Sequence, residues 1–390
     1  MNTRLNDVVF SGIVSVRDRL LQLANPLRLE SGEPDFDTPA HITEAMARAL
    51  ADHETHYAPS TGIKPLKEAV LRKVAGRNGI SYVQNPNHVL IVNGGMHGLY
   101  CTFQTILNAG DEVIMPRPNW TATAWMVRLA GATTVFCDLL PEREYRWDAG
   151  QLESLITSRT RAVLINTPHN PTGGVMRRED LRDLLELAAR HNLWVISDEA
   201  YEDIIYDQEH VSIAALAADY PEAVRAKIVS CYTFSKSYAM TGWRLGYLVC
   251  PNDAFVDQIK KMILYTINGV STATQYAGVA ALDGPQEAVA VMREEYRKRR
   301  DLLYQGVNAS PLMSCDTPPA GAFYLYARIT DEWRGSAWDL VNHLIERYAM
   351  GSVPGDVFYD SQKSIRFSYA CSTAMIREAI ERLTAPVAVG

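Results

Sequence analysis

The stretch YTFSKSYAMTGWRLGY, residues 232–247, joins two short apolar runs and carries a lysine between two serines. The run KIVSCYTF overlaps its start and the run RLGYLVC overlaps its end, and each is typical of a buried strand. Lys236 is therefore predicted to lie in the turn where a buried strand ends, a position that lysine normally avoids. A solvated surface loop would also explain a lysine here, so the rest of the chain has to decide between the two interpretations.

Seven apolar runs recur between residues 87 and 251, and most are separated by helical patterns. They read HVLIVN, DEVIMP, TTVFCDL, RAVLINT, WVISDEA, KIVSCYTF and RLGYLVC. Strands that alternate with helices predict an α/β fold with a mostly parallel, seven-stranded sheet covered on both faces. Because only a short loop joins the last two runs, we expect one of those strands to run antiparallel.

A change of pattern after residue 285 predicts a second, smaller domain of the α+β type. There a long charged helical segment, EAVAVMREEYRKRRDLLYQGV, precedes short strand patterns such as AFYLYARI and IRFSYA. Within it, YRKRRD (296–301) is interpreted as a solvated helix face. The first forty residues show no parallel-strand pattern and are assigned to the same unit. The predicted division is a large domain over 41–284 and a small domain made of 1–40 and 285–390.

Composition is that of a soluble globular protein, and it excludes several functional classes. The 390-residue chain has a formal net charge of −7 and a pI near 5.8, so nucleic-acid or membrane-surface binding is not expected. The six cysteines are scattered without zinc-ligand spacing and are interpreted as free thiols in a reducing compartment. The N-terminal sequence lacks a signal-peptide pattern, and no run approaches the length of a membrane span. We expect a cytoplasmic protein without a bound metal.

Polar and aromatic residues follow several of the predicted strands. Ligands bind at the carboxyl ends of strands in open parallel sheets, so these residues are candidate site residues. Gly94 and Gly95 open a helix after the first run, and a helix N-terminus attracts anions, although a glycine pair alone is typical of a tight turn. The other candidates are Trp120, Asn170, Asp198, Tyr201, Thr233, Ser235, Lys236 and Arg244.

This combination of a lysine, a carboxylate, a phenol and an arginine matches the needs of pyridoxal 5′-phosphate. The aldehyde of that cofactor requires a lysine amine, and its pyridine nitrogen requires a carboxylate that keeps it protonated. Its phosphate binds backbone amides, hydroxyls and a cation. Asp198 would be costly to bury without a partner, and a pyridinium would be that partner. A hydrolytic triad fits less well because the chain lacks a G-x-S-x-G pattern. The solvated-loop interpretation of Lys236 is therefore disfavoured.

A series of motifs along nearly the whole chain resembles the class I/II aminotransferases of PLP fold-type I, in their aspartate-aminotransferase-like branch. In order they are SGEPDFDTP, HYAPSTGIKPLKEAV, NTPHNPTGG, SDEAYE, FSKSYAMTGWRLGY, PAGAFY and IRFSYA. The resemblance implies a PLP-dependent transaminase that moves the amino group of an L-amino acid to a 2-oxo acid. It also implies a homodimer in which Tyr57 of one subunit reaches the cofactor phosphate of the other.

The resemblance also implies a role for each candidate residue. Lys236 would hold the cofactor and move the substrate α-proton, and Asp198 would pair with the pyridine nitrogen. Arg366 would bind the substrate α-carboxylate, helped by Asn170 and the backbone at Gly32, although a surface ion pair is the structural alternative for this arginine. The remaining cofactor contacts implied are Trp120 stacked on the ring, Tyr201 and Asn170 at the ring oxygen, and Gly94, Gly95, Met96, Thr233, Ser235 and Arg244 near the phosphate.

Two departures from the branch concern the substrate. Acidic-substrate members often have a lysine directly after the two glycines, where this chain has Met96, and small hydroxyl residues where it has Ile13. A distal carboxylate buried without a cation is disfavoured, so we expect neutral or aromatic substrates. Two alternatives stay open: Arg17 or Arg128 would bind the distal carboxylate in place of the missing lysine, or Met96 would only pack against its neighbours while other residues set the specificity. A lyase, cyclase or synthase of the same fold stays an alternative, because the sequence does not report where the carbanion is quenched. A PLP-binding regulator is disfavoured because no DNA-binding domain fits before residue 40.

Overall fold

The computed structural model describes residue 5, residues 8–360 and residues 362–384 of the chain. Its strands are β1 (Val89–Val92), β2 (Glu112–Arg117), β3 (Thr133–Asp138), β4 (Thr160–Asn166), β5 (Trp194–Asp198), β6 (Ile228–Thr233), β7 (Gly246–Val249), β8 (Met313–Ser314), β9 (Tyr324–Ile329), β10 (Val353–Pro354) and β11 (Ser364–Ser368). Its α-helices are α1 (Gly12–Leu20), α2 (Ala40–Ala51), α3 (Lys64–Gly76), α4 (Gly94–Ile106), α5 (Thr121–Leu129), α6 (Ala149–Ser154), α7 (Arg178–His191), α8 (Ile213–Leu216), α9 (Glu222–Arg225), α10 (Phe234–Ser237), α11 (Asp253–Ile267), α12 (Thr272–Asp283), α13 (Glu287–Ala309), α14 (Ala337–Tyr348) and α15 (Thr373–Thr384).

The seven apolar runs form one sheet in the order β1-β7-β6-β5-β4-β2-β3. Strands β2 to β6 pair in parallel, and β7 is antiparallel to both β1 and β6. The predicted α/β fold with a mostly parallel sheet is therefore confirmed, as is the antiparallel strand in the last pair. Tyr232 pairs with Tyr247 in the β6–β7 ladder, so residues 232–247 connect two adjacent strands and carry α10 between them.

Side chains of the large sheet alternate between two apolar clusters, one on each face. On β1, Val89 and Ile91 belong to the first cluster, whereas Leu90 and Val92 belong to the second. Helices α3 and α12 contribute to the first cluster, and α4 and α11 contribute to the second. Each fully buried aliphatic side chain stabilises the fold by roughly 1.5–3 kcal/mol. Burial on both faces explains why the strands read as continuous apolar runs in the sequence.

A second, antiparallel sheet has the strand order β10-β11-β9-β8 and packs against the C-terminal helices. Val16 and Leu20 of α1 belong to the same apolar cluster, so the N-terminal segment lies against this sheet. The interpretation of 296–301 as a solvated face was wrong for Tyr296, Arg299 and Arg300 of α13, which are buried, whereas Lys298 is exposed. Arg299 pairs with Asp35 at 2.7 Å, which satisfies the buried charge. The division into domains 41–284 and 1–40 with 285–390 stays a prediction.

Five of the six cysteines are buried and Cys315 is half-buried, and all six are free thiols, as expected. Among the described residues, no helix combines the length and the apolar character that a membrane span needs.

The direction of the strands concentrates the loops that carry polar residues at one edge of the large sheet. Because β7 is antiparallel to both of its neighbours, β1 runs in the same direction as the five strands β2 to β6. These six strands therefore end at a common edge of the sheet. Gly94, Asp198 and Lys236 lie at or just beyond the ends of β1, β5 and β6. The fold thus brings together residues that are far apart in the sequence.

Candidate active site

A cavity of about 320 Å³ lies at the carboxyl edge of the large sheet. Its lining includes every predicted site residue except Gly94 and Tyr57. The lining residues are Ile13, Gly32, Gly95, Met96, Leu99, Trp120, Asn166, Asn170, Asp198, Ala200, Tyr201, Thr233, Ser235, Lys236, Arg244, Tyr324 and Arg366.

Lys236 lies in the one-turn helix α10, directly after β6, and its ammonium donates a hydrogen bond of 2.6 Å to the carbonyl oxygen of Gly32. Desolvation in the cavity lowers the pKa of Lys236 from 10.5 to about 8, and the positive charges of Arg244 and Arg366 act in the same direction. Glu33 opposes this shift. A lysine with this pKa has a substantial neutral fraction near physiological pH, as a nucleophile or a general base requires.

Asp198 is the last residue of β5, and its carboxylate accepts a backbone hydrogen bond of 3.3 Å from Ala200. Among the described residues, no cation forms an ion pair with this buried side chain. Desolvation raises the pKa of Asp198 from 3.8 to about 7, although the Ala200 amide and the charge of Lys236 lower it. A buried carboxylate in this state is well suited to bind a cationic ligand group, because the attraction to such a partner offsets the desolvation cost.

Several hydrogen-bond donors lie close together at the N-terminus of α4, an arrangement suited to bind an anion. Thr233 Oγ1 lies 2.9 Å from Ser235 Oγ, and both residues line the cavity near Gly95. Gly94 has a φ of +77°, and a Cβ at this position would approach Arg244 Nη2 to 2.6 Å. Glycine is therefore required for the guanidinium to lie against the start of the helix. Backbone amides, hydroxyls and a guanidinium together bind phosphate groups well.

Arg366 on β11 is almost fully buried, so the alternative of a surface ion pair is excluded. Its Nη1 donates to Asn170 Oδ1 and its Nη2 donates to the backbone carbonyl of Glu30, both at 2.9 Å. Its Nε has no hydrogen-bond partner among the described residues. Burial lowers the pKa of Arg366, while neighbouring phenols and Glu30 raise it. A buried guanidinium with an unused donor is well suited to bind a carboxylate.

Tyr57 and Gly94 are the predicted site residues that do not line this cavity. Tyr57 is 92% exposed and lines a separate surface groove of about 640 Å³ together with residues 267–273. The predicted contact of Tyr57 with a partner subunit stays a prediction. Gly94 lies immediately behind the lining, where it makes room for Arg244.

Sequence reasoning missed four lining residues: Leu99, Asn166, Ala200 and Tyr324. Asn166 is the last residue of β4, so the rule that placed the other candidates at strand ends could have found it. Its Oδ1 accepts the Asn170 backbone N–H at 2.8 Å and its Nδ2 donates to the Asp198 carbonyl at 3.1 Å. Tyr324 lies in the apolar run AFYLYARI and reads as a core residue, so no pattern marked it.

Comparison with known proteins identifies the class. The family model described as "Aminotransferase class I and II" matches residues 24–383. The chain therefore belongs to this family. The resemblance that the motifs indicated is confirmed, and so is the prediction that the protein is an enzyme, a transaminase that moves amino groups between amino acids and 2-oxo acids.

Individual relatives include proteins named for aspartate and for aromatic substrates. The chain is 37% identical to an aspartate aminotransferase from Bacillus sp. (strain YM-2), over 91% of this chain and 90% of the relative. It is 35% identical to aromatic-amino-acid aminotransferase 2 from Thermococcus litoralis, over 98% and 97% of the two chains. A solved structure of aspartate aminotransferase from Thermus thermophilus with maleate matches with a TM-score of 0.91 and 35% identity, over 98% of both chains.

Proposed function

We propose that the cavity holds pyridoxal 5′-phosphate and that the enzyme prefers neutral or aromatic L-amino acids as donors. The observation that carries the cofactor assignment is the buried Asp198 carboxylate, which lacks a cationic partner in the described chain and shares the cavity with Lys236. The pyridinium of the cofactor would be that partner, and the donors at the start of α4 would bind its phosphate. The residues present therefore fit the group.

The bound cofactor supplies an electron sink for the pair of electrons released when the substrate α-proton leaves. Lys236 would hold the cofactor through its amine, and, once displaced by the substrate amine, its Nζ would take the α-proton. Asp198 would keep the pyridine nitrogen protonated. Trp120 is half-buried at the start of α5 and would cover one face of the ring. Tyr201 and Asn170 would donate hydrogen bonds to the ring oxygen.

The substrate α-carboxylate would bind Arg366. Because Asn170 Oδ1 already accepts from Arg366 Nη1, the amide nitrogen of Asn170 is left to donate within the cavity. Arg366 Nε has no hydrogen-bond partner among the described residues, and it would donate to the substrate carboxylate together with one of the Nη groups. Gly32 would contribute its backbone, which already contacts Lys236.

The side-chain preference rests on the charges around the cavity. Among the described residues, the cations that line the cavity are Lys236, Arg244 and Arg366. Each of them is already assigned to the cofactor or to the substrate α-carboxylate. Arg17 pairs with Asp18 at 2.8 Å on the protein surface, and Arg128 of α5 lies outside the lining. Met96 is 47% exposed at the cavity. A distal carboxylate would have no dedicated cation here, whereas the flexible methionine suits varied apolar side chains.

A single-turnover experiment tests this proposal. The enzyme loaded with pyridoxal 5′-phosphate is mixed with each of a panel of amino acids in the absence of any oxo acid, and the released oxo acid is counted. We expect one oxo acid per active site, and further turnover only after an oxo acid is added. Continuous product release without an acceptor would show lyase or cyclase activity instead. Faster reaction with aspartate than with phenylalanine would contradict the preference and leave the cofactor assignment intact.

We also propose that the enzyme is a homodimer and that it is cytoplasmic. The exposed Tyr57 and its groove support a site completed by a second copy of the chain. The free thiols of the six cysteines fit a reducing compartment.

A further inference from the structure

Tyr324 contacts three parts of the cavity that the proposed function assigns to different tasks. It is the first residue of β9 and is almost fully buried. Its hydroxyl lies 2.9 Å from the hydroxyl of Tyr201. Its ring face lies under Arg366, with 4.2 Å between the guanidinium carbon and the ring centroid. One side chain thus connects the proposed ring-oxygen donor with the proposed carboxylate site.

The Tyr324 hydroxyl also lies against the loop that contacts Lys236. A Cβ at Gly32 would approach this hydroxyl oxygen to 2.5 Å, so the backbone of Gly32 runs directly beside it. The carbonyl of the same glycine accepts the hydrogen bond from Lys236. Any larger residue at position 32 would displace the phenol or the loop. The position of the Tyr324 hydroxyl is therefore fixed from two sides.

The count of protons decides the direction of the hydrogen bond between the two tyrosines. A phenol has one proton to donate and can accept further hydrogen bonds through its oxygen. If Tyr201 donates its proton to the cofactor, it can only accept from Tyr324. Among the described residues, Tyr201 is the hydrogen-bond partner of the Tyr324 hydroxyl. Tyr324 would then donate, and a phenol that accepts one hydrogen bond is a stronger donor in the next.

We propose that Tyr324 is a positioning residue: its hydroxyl directs the Tyr201 proton toward the cofactor ring oxygen, while its ring supports the Arg366 guanidinium. This inference rests on the proposed function, and it adds to it a residue that acts through Tyr201 and Arg366. The two contacts use different parts of one side chain, so two substitutions separate them. Removal of the hydroxyl affects the first contact, and removal of the ring affects both.

Tyr324→Phe tests the hydroxyl. In the cofactor-loaded enzyme we expect kcat to fall about tenfold, a typical cost of one lost hydrogen bond in a buried network. KM for the amino acid should stay within about twofold, because the ring still supports Arg366. The pH midpoint of the visible absorbance band should move upward, since a weaker Tyr201 donor stabilises the deprotonated form less. Tyr324→Leu should in addition raise KM about tenfold, because the cation–π contact is lost.

The matched control is Tyr369→Phe. Tyr369 is equally buried, donates from its hydroxyl to the Ala322 carbonyl at 3.2 Å, and lies outside the cavity lining. This variant should keep the wild-type kcat and the wild-type pH midpoint of the visible band. A loss of activity caused only by weakened packing would affect both phenylalanine variants and would not move the band.

A double-mutant cycle gives the decisive outcome. Because Tyr324 acts through Tyr201, Tyr201→Phe should shift the pH midpoint, and the double variant should show no further shift. Fully additive shifts, or a Tyr324→Phe enzyme identical to wild type, would overturn this inference alone. A wild-type protein that develops no visible band with pyridoxal 5′-phosphate would instead overturn the proposed function, and the inference with it.

Discussion

Lys236 and Gly32 are joined by a hydrogen bond of 2.6 Å between the lysine ammonium and the glycine carbonyl, across 204 positions of sequence. The proposed cofactor lysine therefore directly contacts a backbone group that is also assigned to the proposed carboxylate site. The Gly32 carbonyl is the hydrogen-bond acceptor of the charged Lys236 amine. Formation of a bond between the Lys236 amine and an aldehyde would break this hydrogen bond.

The pH dependence of Lys236 follows from its surroundings. Desolvation lowers the pKa to about 8, so the neutral and reactive form becomes dominant above that pH. In cofactor-free protein, the rate of Lys236 modification by an amine reagent should rise about tenfold per pH unit and level off above pH 8. Peptide mapping of the modified protein measures the rate of Lys236 modification at each pH, with the exposed Lys298 as an internal control. A rate that still rises steeply above pH 10 would contradict a desolvated lysine.

Asp198→Asn should retain bound cofactor but lose activity by about a thousandfold, because removal of one partner of a buried ion pair costs several kcal/mol. The measurement is kcat at saturating cofactor. Near-normal turnover would show that Asp198 is not the partner of the pyridine nitrogen.

The same variant should have the opposite effect on cofactor-free protein. The pKa of Asp198 in the folded chain, about 7, lies above its usual 3.8, so the folded state binds more protons between these values. Stability therefore falls as pH rises from about 4 to 7, by at most roughly 4 kcal/mol for a shift of this size. Asparagine cannot ionise. The free energy of unfolding of the Asp198→Asn variant, relative to that of the wild type, should therefore increase as the pH rises over this range. Urea unfolding at pH 4.5 and pH 8 measures it, and a difference independent of pH would contradict the assignment.

Met96→Lys should increase kcat/KM for aspartate relative to phenylalanine by about tenfold, because it adds a cation beside the cavity. Met96→Gln is the matched control: it has a similar length and no charge, and it should not change the ratio. If the wild type already prefers aspartate, another cation binds the distal carboxylate and the specificity proposal is wrong.

The contribution of Tyr57 across a dimer interface can be tested by mixing an inactive Lys236→Ala subunit with an impaired Tyr57→Phe subunit. In a mixed dimer of Lys236→Ala and Tyr57→Phe subunits, one site would combine an intact Lys236 with an intact Tyr57 from the other subunit. We expect that site to regain wild-type kcat/KM. If Tyr57 acts within its own subunit, each mixed dimer would contain only impaired sites and no activity would return.

The sequence was sufficient for the sheet and for most of the cavity, because both depend on local patterns. Burial on two faces makes each strand of the large sheet an apolar run, and polar residues at strand ends then converge. The roles of Tyr324 and of the buried Arg299 could not be predicted from such local patterns. Tyr324 lies in an apolar strand, and Arg299 lies in a charged helical segment. In both cases the partner that gives the side chain its role, Tyr201 or Asp35, is remote in sequence, and only the tertiary fold brings the two together.

The central claim is that Lys236 is the residue that holds pyridoxal 5′-phosphate. Reduction of the cofactor-loaded enzyme with borohydride, followed by peptide mapping, measures this directly. We predict a single pyridoxyl label on Lys236, and no label and no visible absorbance band in a folded Lys236→Ala variant. A label on any other lysine, or a visible band that persists in Lys236→Ala, would contradict the account.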